Sequence, residues 1–170
     1  MSIATQPLRD EHRELLPHIE SLRSAADAVG DASPSAVRAA AAASHEFLAH
    51  HLIPHAEAEE RALYPVVGRV LGAPEATNTM SRDHVEVGRL TDELRDVLVA
   101  SGSGAPTAGQ AKDLRRVLYG LYGLVKVHFA KEEEVYLPIL DKRLSAAEAT
   151  SMYQAMEEAA AEAKARAAGR

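Results

Sequence analysis

Residues 55–65 read HAEAEERALYP, and residues 128–138 read HFAKEEEVYLP. In each stretch a His is followed by Glu at the fourth and fifth positions and by Pro at the tenth. The first set is His55, Glu59, Glu60 and Pro65; the second is His128, Glu132, Glu133 and Pro138. His12 and His84 keep nearly the same offset. They lie 72 residues apart, each with Glu two places on (Glu14, Glu86), while His55 and His128 lie 73 apart. The sequence therefore reads as one helical hairpin written twice, over about residues 8–71 and 75–141, with an approximate two-fold axis relating the copies.

Heptad stripes extend outward from these marks. The first helix carries Leu8, His12, Leu15, Ile19 and Leu22; the second carries Ala41, His45, Leu48, Leu52, His55, Glu59, Ala62 and Val66. The third carries Met80, His84, Val87, Thr91, Leu94 and Leu98; the fourth carries Leu114, Leu118, Leu121, Val125, His128, Glu132, Val135 and Ile139. Alternating steps of three and four put each set on one inward face of a helix. Boundaries are marked by local chemistry. Gly30 ends the first helix, Ser33-Pro34 opens the second, and Gly72-Ala73-Pro74 closes it. Thr107 with Gln110, and Ser145 with Glu148, have the spacing of capping boxes. Pro54 removes a backbone donor just before His55, so the second helix is expected to kink there.

Long amphipathic helices with short connections predict an all-α fold, an antiparallel up-down-up-down four-helix bundle. The bundle is expected over residues 1–144, with an appended C-terminal helix over 145–170. The 170 residues suit one domain with a sizeable core. There is no Cys, which excludes disulfides, thiolate metal sites and thiol catalysis. A net charge of -6 without a basic face, and 4% aromatics without Trp, argue against nucleic-acid binding. No signal-peptide or membrane-spanning run is visible, so the expected address is cytoplasmic, as a monomer or homodimer.

The chemistry lies in the eight His. His55 with Glu59, and His128 with Glu132, are i,i+4 pairs that share a helix face about 6 Å apart. Both Glu stand where a bundle normally places Leu. A buried carboxylate without a partner costs several kcal/mol, and no Lys or Arg shares the stripe nearby. Four inward His (His12, His55, His84, His128) and two inward Glu (Glu59, Glu132) at one level call for a bound cation. Imidazole with carboxylate suits Fe, Mn, Zn, Cu or Ni and disfavours Mg and Ca. About two His per ion with shared carboxylates fits a dinuclear site, leaving roughly two of about twelve positions open for an outside ligand. His51, Glu60, Glu133, Tyr64 and Tyr136 are candidates for extra ligands or hydrogen-bonding support.

One His on each of four helices, with the His-x-x-x-Glu-Glu-x-x-Leu-Tyr-Pro string and its echo, resembles the hemerythrin-like, or HHE cation-binding, family over about residues 8–141. The resemblance implies a non-haem di-iron centre, oxo- or hydroxo-bridged, with Zn or Mn the less expected metals. It implies His12, His55, His84 and His128 as terminal ligands and Glu59 and Glu132 as bridges, with Glu133 competing with Glu132 for that role. Oxygen-carrying members have a further His four residues after the third-helix His. Here that position is Gly88, which leaves space open beside the metal. The implied function is binding, sensing or detoxifying oxygen, nitric oxide or peroxide, and the alternative is an iron-binding storage or sensing module without turnover.

Overall fold

The computed structural model describes residues 4–102 and 104–168. Residues 1–3 of the expected bundle unit and 169–170 of the expected last helix lie outside the described residues. Five long helices carry the described chain, and no strand occurs among the described residues. Helix α1 spans Gln6–Ala28. Helix α2 runs over 34–71 in continuous segments, α3 spans Asn78–Ser101, α4 runs over 108–143, and α5 spans Ala146–Ala168. No described helix is long and apolar enough to cross a membrane.

The expected caps form. The Ser33 side chain accepts from Ala36 N at 3.3 Å, with Pro34 in the first turn. Thr107 and Gln110 cap each other reciprocally, as do Ser145 and Glu148. Gly72 closes α2 at φ 67°, a left-handed conformation that side chains with a Cβ rarely adopt.

Helices α1 and α3 each pack on both α2 and α4, so the four close a ring. Helix α5 lies along α2. Two apolar clusters fill the interior. One, including Ile19, Leu22, Leu48, Leu94, Leu118 and Leu121, holds the end nearer the α1–α2 connection. The other joins Leu8, Leu63, Met80, Leu137 and Leu140 to Met152 and Met156 of α5. Helix α5 thus completes the second cluster instead of sitting on a finished surface.

The kink expected at Pro54 takes a definite form. Leu48–Leu52 is a π-helical turn, and Ile53 N–H bonds to the Leu48 carbonyl, five residues back. The same device recurs at Glu59–Leu63, before Pro65, and at Glu132–Tyr136, before Pro138. A proline ring collides with the carbonyl four residues back, and a widened turn accommodates it. Each π turn adds a residue and advances the inward face. The heptad stripes therefore fail past it: Val67 is buried while Val66 is half-buried, and Leu137 and Leu140 are buried while Val135 is exposed.

Candidate metal centre

The two clusters leave a polar layer between them. His12, His55, His128, Glu59 and Glu132 are all buried there, with His84 close to buried. The paired Glu are fully enclosed, each at 0% exposure. The π turns beginning at Glu59 and Glu132 fall within this layer, and π turns are frequent at functional sites.

The outer edge of every imidazole is held by a carboxylate. His12 Nδ1 lies 2.8 Å from Glu133, His55 Nδ1 3.0 Å from Glu11, His84 Nδ1 2.8 Å from Glu60, and His128 Nδ1 3.1 Å from Asp83. The ties follow the ring of helices. An acid on α1 holds the His of α2, one on α2 holds that of α3, one on α3 holds that of α4, and one on α4 returns to α1. Three of the acids are themselves held. Glu133 pairs with Arg9, Asp83 pairs with Lys131, and Ser81 donates to Glu60 at 2.8 Å.

An ionised carboxylate only accepts, so each Nδ1 carries the proton and donates it outward. In the neutral ring, Nε2 then presents a lone pair inward. Four such lone pairs face the oxygens of Glu59 and Glu132. His55 Nε2 is 3.1 Å from Glu59 Oε1, His84 Nε2 is 3.2 Å from Glu59 Oε2, and His12 Nε2 is 3.5 Å from Glu132 Oε2. The Nε2 atoms of His84 and His128 stand 3.0 Å apart. His12 Nε2, His55 Nε2, both Glu59 oxygens and Glu132 Oε2 are buried with no hydrogen-bond partner. Acceptors aimed at acceptors in a dry layer repel unless cations or protons stand between them.

Without a metal, protons take that place. Burial works against a charged His55, but the Glu59 and Glu11 carboxylates overcome it and hold its pKa well above the ordinary range. Burial likewise opposes charge on His128, yet Glu132 and Glu59 raise its pKa from 6.5 to about 10. Burial pushes the Glu59 carboxyl up, and the surrounding imidazoles bring it well below the ordinary value. Donor atoms within 4.8 Å of one another form two overlapping groups, His12–His55–Glu59 and Glu59–His84–His128, either of which could hold a metal ion. Glu59 belongs to both. With imidazole and carboxylate as the only donors, the set fits a transition metal.

Residues 4–140 match the hemerythrin HHE cation binding domain. The chain belongs to the hemerythrin family. No curated protein and no solved structure matched in the other comparisons. The family binds metal cations, and the His/Glu layer is where this member has the donors to do so.

The remaining candidates divide. Glu60 and Glu133 hold His84 and His12 from outside, and neither reaches the central groups. Tyr64 enters the layer, its hydroxyl 2.9 Å from Glu132 Oε1. Tyr136 instead turns away and donates to the Ala76 carbonyl at 3.0 Å. His51 lies within the Leu48–Leu52 π turn, is exposed and stacks on Phe47. His18 also stacks on Phe47, and His50 faces Glu46. Half-buried His45 lines a separate cleft with Asp92, Arg95 and Arg166. A Cβ at Gly88 would meet nothing within 4 Å, so that position is open in this hemerythrin.

The heptad pattern does not mark Glu11 or Asp83. Their signal was available: each immediately precedes a member of the His12/His84 pair, at the same repeat distance of 72. It also passed over Phe129, which stacks on His12 with ring centres 4.2 Å apart. Phe129, Leu52, Ala56, Val87 and Val125 line a small cavity of about 10 Å³ that borders His55, Glu59, His84 and His128.

Proposed function

We propose that this hemerythrin holds two iron ions and uses them to bind and process a small ligand, namely oxygen, nitric oxide or peroxide. The observation carrying this reading is the layer of inward acceptors with no donors to satisfy them. His12 and His55 would hold one ion, His84 and His128 the other, and Glu59 and Glu132 would span both. When bound, iron would supply one-electron redox chemistry and open positions for a diatomic or peroxide.

The chain's own residues do the rest. The outer carboxylates fix ring orientation and tautomer and raise imidazole basicity. The cavity beside His55, Glu59, His84 and His128 is far smaller than a typical pocket for a metabolite-sized ligand. Its remaining wall, from Leu52, Ala56, Val87, Val125 and Phe129, is apolar, which favours a small, weakly hydrated ligand. The reading also takes the four helices as running alternately up and down, with residues 1–144 as the working unit and 145–170 as its appended helix. The short connections and the end of the family match at residue 140 support this.

The test is elemental analysis with optical spectra of freshly purified protein. Peroxide, oxygen to the reduced form, and nitric oxide are then added in turn. Two irons per chain and a spectral response to one of the three are expected. Two zinc or manganese ions, or none, would overturn it. Two irons with no response to any reactant would leave the storage alternative in its place.

The outer ties give a second expected result. Asp83→Asn keeps an acceptor beside His128 but removes its charge. Metal affinity should fall about 10–100-fold, the usual range for loss of such a partner. Competition against a chelator measures it, and an unchanged affinity would separate the ties from binding.

A further inference from the structure

A second cavity lies at the end of the bundle away from the His/Glu layer. Val29 and Gly30, just past α1, form one wall, and the first turns of α4 form the other. It encloses about 530 Å³, within the usual range of small-molecule sites. Val29 is 17 residues beyond His12. At the helical rise that is about 25 Å, so the cavity is separate from the proposed metal centre.

Its charge is one-sided. Lys112, Arg115 and Arg116 line it with Tyr119, and no Asp or Glu is among the described residues that do. Spacings of three and four put Lys112 beside both arginines on one face of α4, where like charges repel. On a chain of net charge -6 this is a local exception. The acids nearby reach only the rim: Glu93 pairs with Arg116, Asp113 lies 3.7 Å from it, and Asp27 accepts from the Tyr119 hydroxyl. Arg115 instead donates to the Val29 carbonyl, which fixes its guanidinium across the gap between α1 and α4. Gly30 makes room for it. Its φ is 97°, and a Cβ there would stand 3.4 Å from Arg115 Nη2.

We infer that this cavity binds a phosphate-bearing small molecule with an aromatic body, of the nucleoside monophosphate class. Lys112, Arg115 and Arg116 hold the phosphate. Guanidinium groups match phosphate oxygens in pairs, and an arginine already fixed in place loses little freedom on binding. Glu93 offsets Arg116, which leaves about two unmatched positive charges, against about -1.5 to -2 on a phosphate group at neutral pH. A carboxylate would supply only one. The rest of the lining is Val29, Ala108, Ala111 and the half-exposed ring of Tyr119. That surface has no use for an inorganic ion or a sugar hydroxyl, and it suits a flat apolar ring.

The test titrates the full chain with adenosine monophosphate, adenosine and inorganic phosphate, read by calorimetry and by heteronuclear NMR. The monophosphate should bind saturably, one per chain, and shift the amides of residues 29–30 and 108–119. Adenosine and phosphate should each bind about tenfold more weakly or worse. Lys112→Ala and Arg116→Ala should each weaken the monophosphate about tenfold. Tyr119→Ala should weaken it too while leaving phosphate unmoved. All three side chains are exposed, so the unfolding midpoints should stay at the parent value. Binding that does not saturate, adenosine held as tightly as its monophosphate, or an affinity unmoved by Lys112→Ala and Arg116→Ala overturns the assignment. A DNA duplex that binds more tightly than the monophosphate and shifts the same amides overturns it in favour of a nucleic-acid backbone.

Discussion

Glu59→Leu should make the metal-free protein more stable and the metal-binding protein unobtainable. Glu59 is fully enclosed and faces four imidazoles. Replacing buried ionic groups by an apolar side chain of similar volume is often neutral or stabilising, by about 1–4 kcal/mol. The usual penalty for removing one partner is a stranded charge. Here the partners can shed charge, because Glu59 is one of the carboxylates that hold His55 and His128 protonated, with Glu11 at His55 and Glu132 at His128. At roughly 2–4 °C per kcal/mol for a chain of this size, the metal-free unfolding midpoint should rise by several degrees. Iron should raise the midpoint of the parent and leave the variant unmoved, since a ligand stabilises only a state that binds it. Thermal unfolding with and without iron measures both effects. A lower metal-free midpoint, or two irons retained by the variant, would falsify the shared role of Glu59.

Metal-free and metal-loaded protein should respond to pH in opposite directions. The His128 pKa is about 10 in the folded chain against an ordinary 6.5, so folding favours its protonated form. That stabilisation is complete below about pH 6.5 and is lost as pH rises through about 10. Glu59, held well below its ordinary 4.5, contributes in full above about pH 4.5 and loses its contribution as pH falls through its lowered folded value. The metal-free chain should therefore be most stable between about pH 4.5 and 6.5 and weaken towards pH 10. Metal needs the imidazoles neutral and displaces these protons, so the stabilisation by iron should grow as pH rises. Denaturation midpoints at pH 6.5 and 9, with and without iron, test this. Glu59→Leu should flatten the metal-free slope. A metal-free midpoint that is level or rising across that interval would exclude protonated imidazoles as the stand-in for metal.

The helices and the inner donors were legible because they obey local rules. Ser33-Pro34, Thr107 with Gln110 and Ser145 with Glu148 act through hydrogen bonds within three residues. Glu59 and Glu132 stood out because a carboxylate on an apolar stripe has no inexpensive explanation. The stripes misled beyond these Glu because a heptad assumes an unbroken α-helical period. Val66 and Val135 were placed inward, and the π turns hand that position to Val67 and Leu137. Pro65 and Pro138, six residues after each Glu, were the visible warning. The same turns separate the two tyrosines: Tyr64, five residues past Glu59, enters the layer, and Tyr136, four past Glu132, does not. Glu11 and Asp83 were marked only by their shared place just before His12 and His84. Each serves a His on the next helix, and no pattern within one helix reports that.

The circuit of carboxylate ties makes each hairpin depend on the other. Within each hairpin one tie is internal, Glu11 to His55 and Asp83 to His128. The other two cross over, Glu60 to His84 and Glu133 to His12. A single hairpin therefore carries an acid with no imidazole to hold and an imidazole with no acid, and a second copy turned about the two-fold supplies both. In its carboxylate ties the chain is built like a fused dimer, each hairpin completing the other.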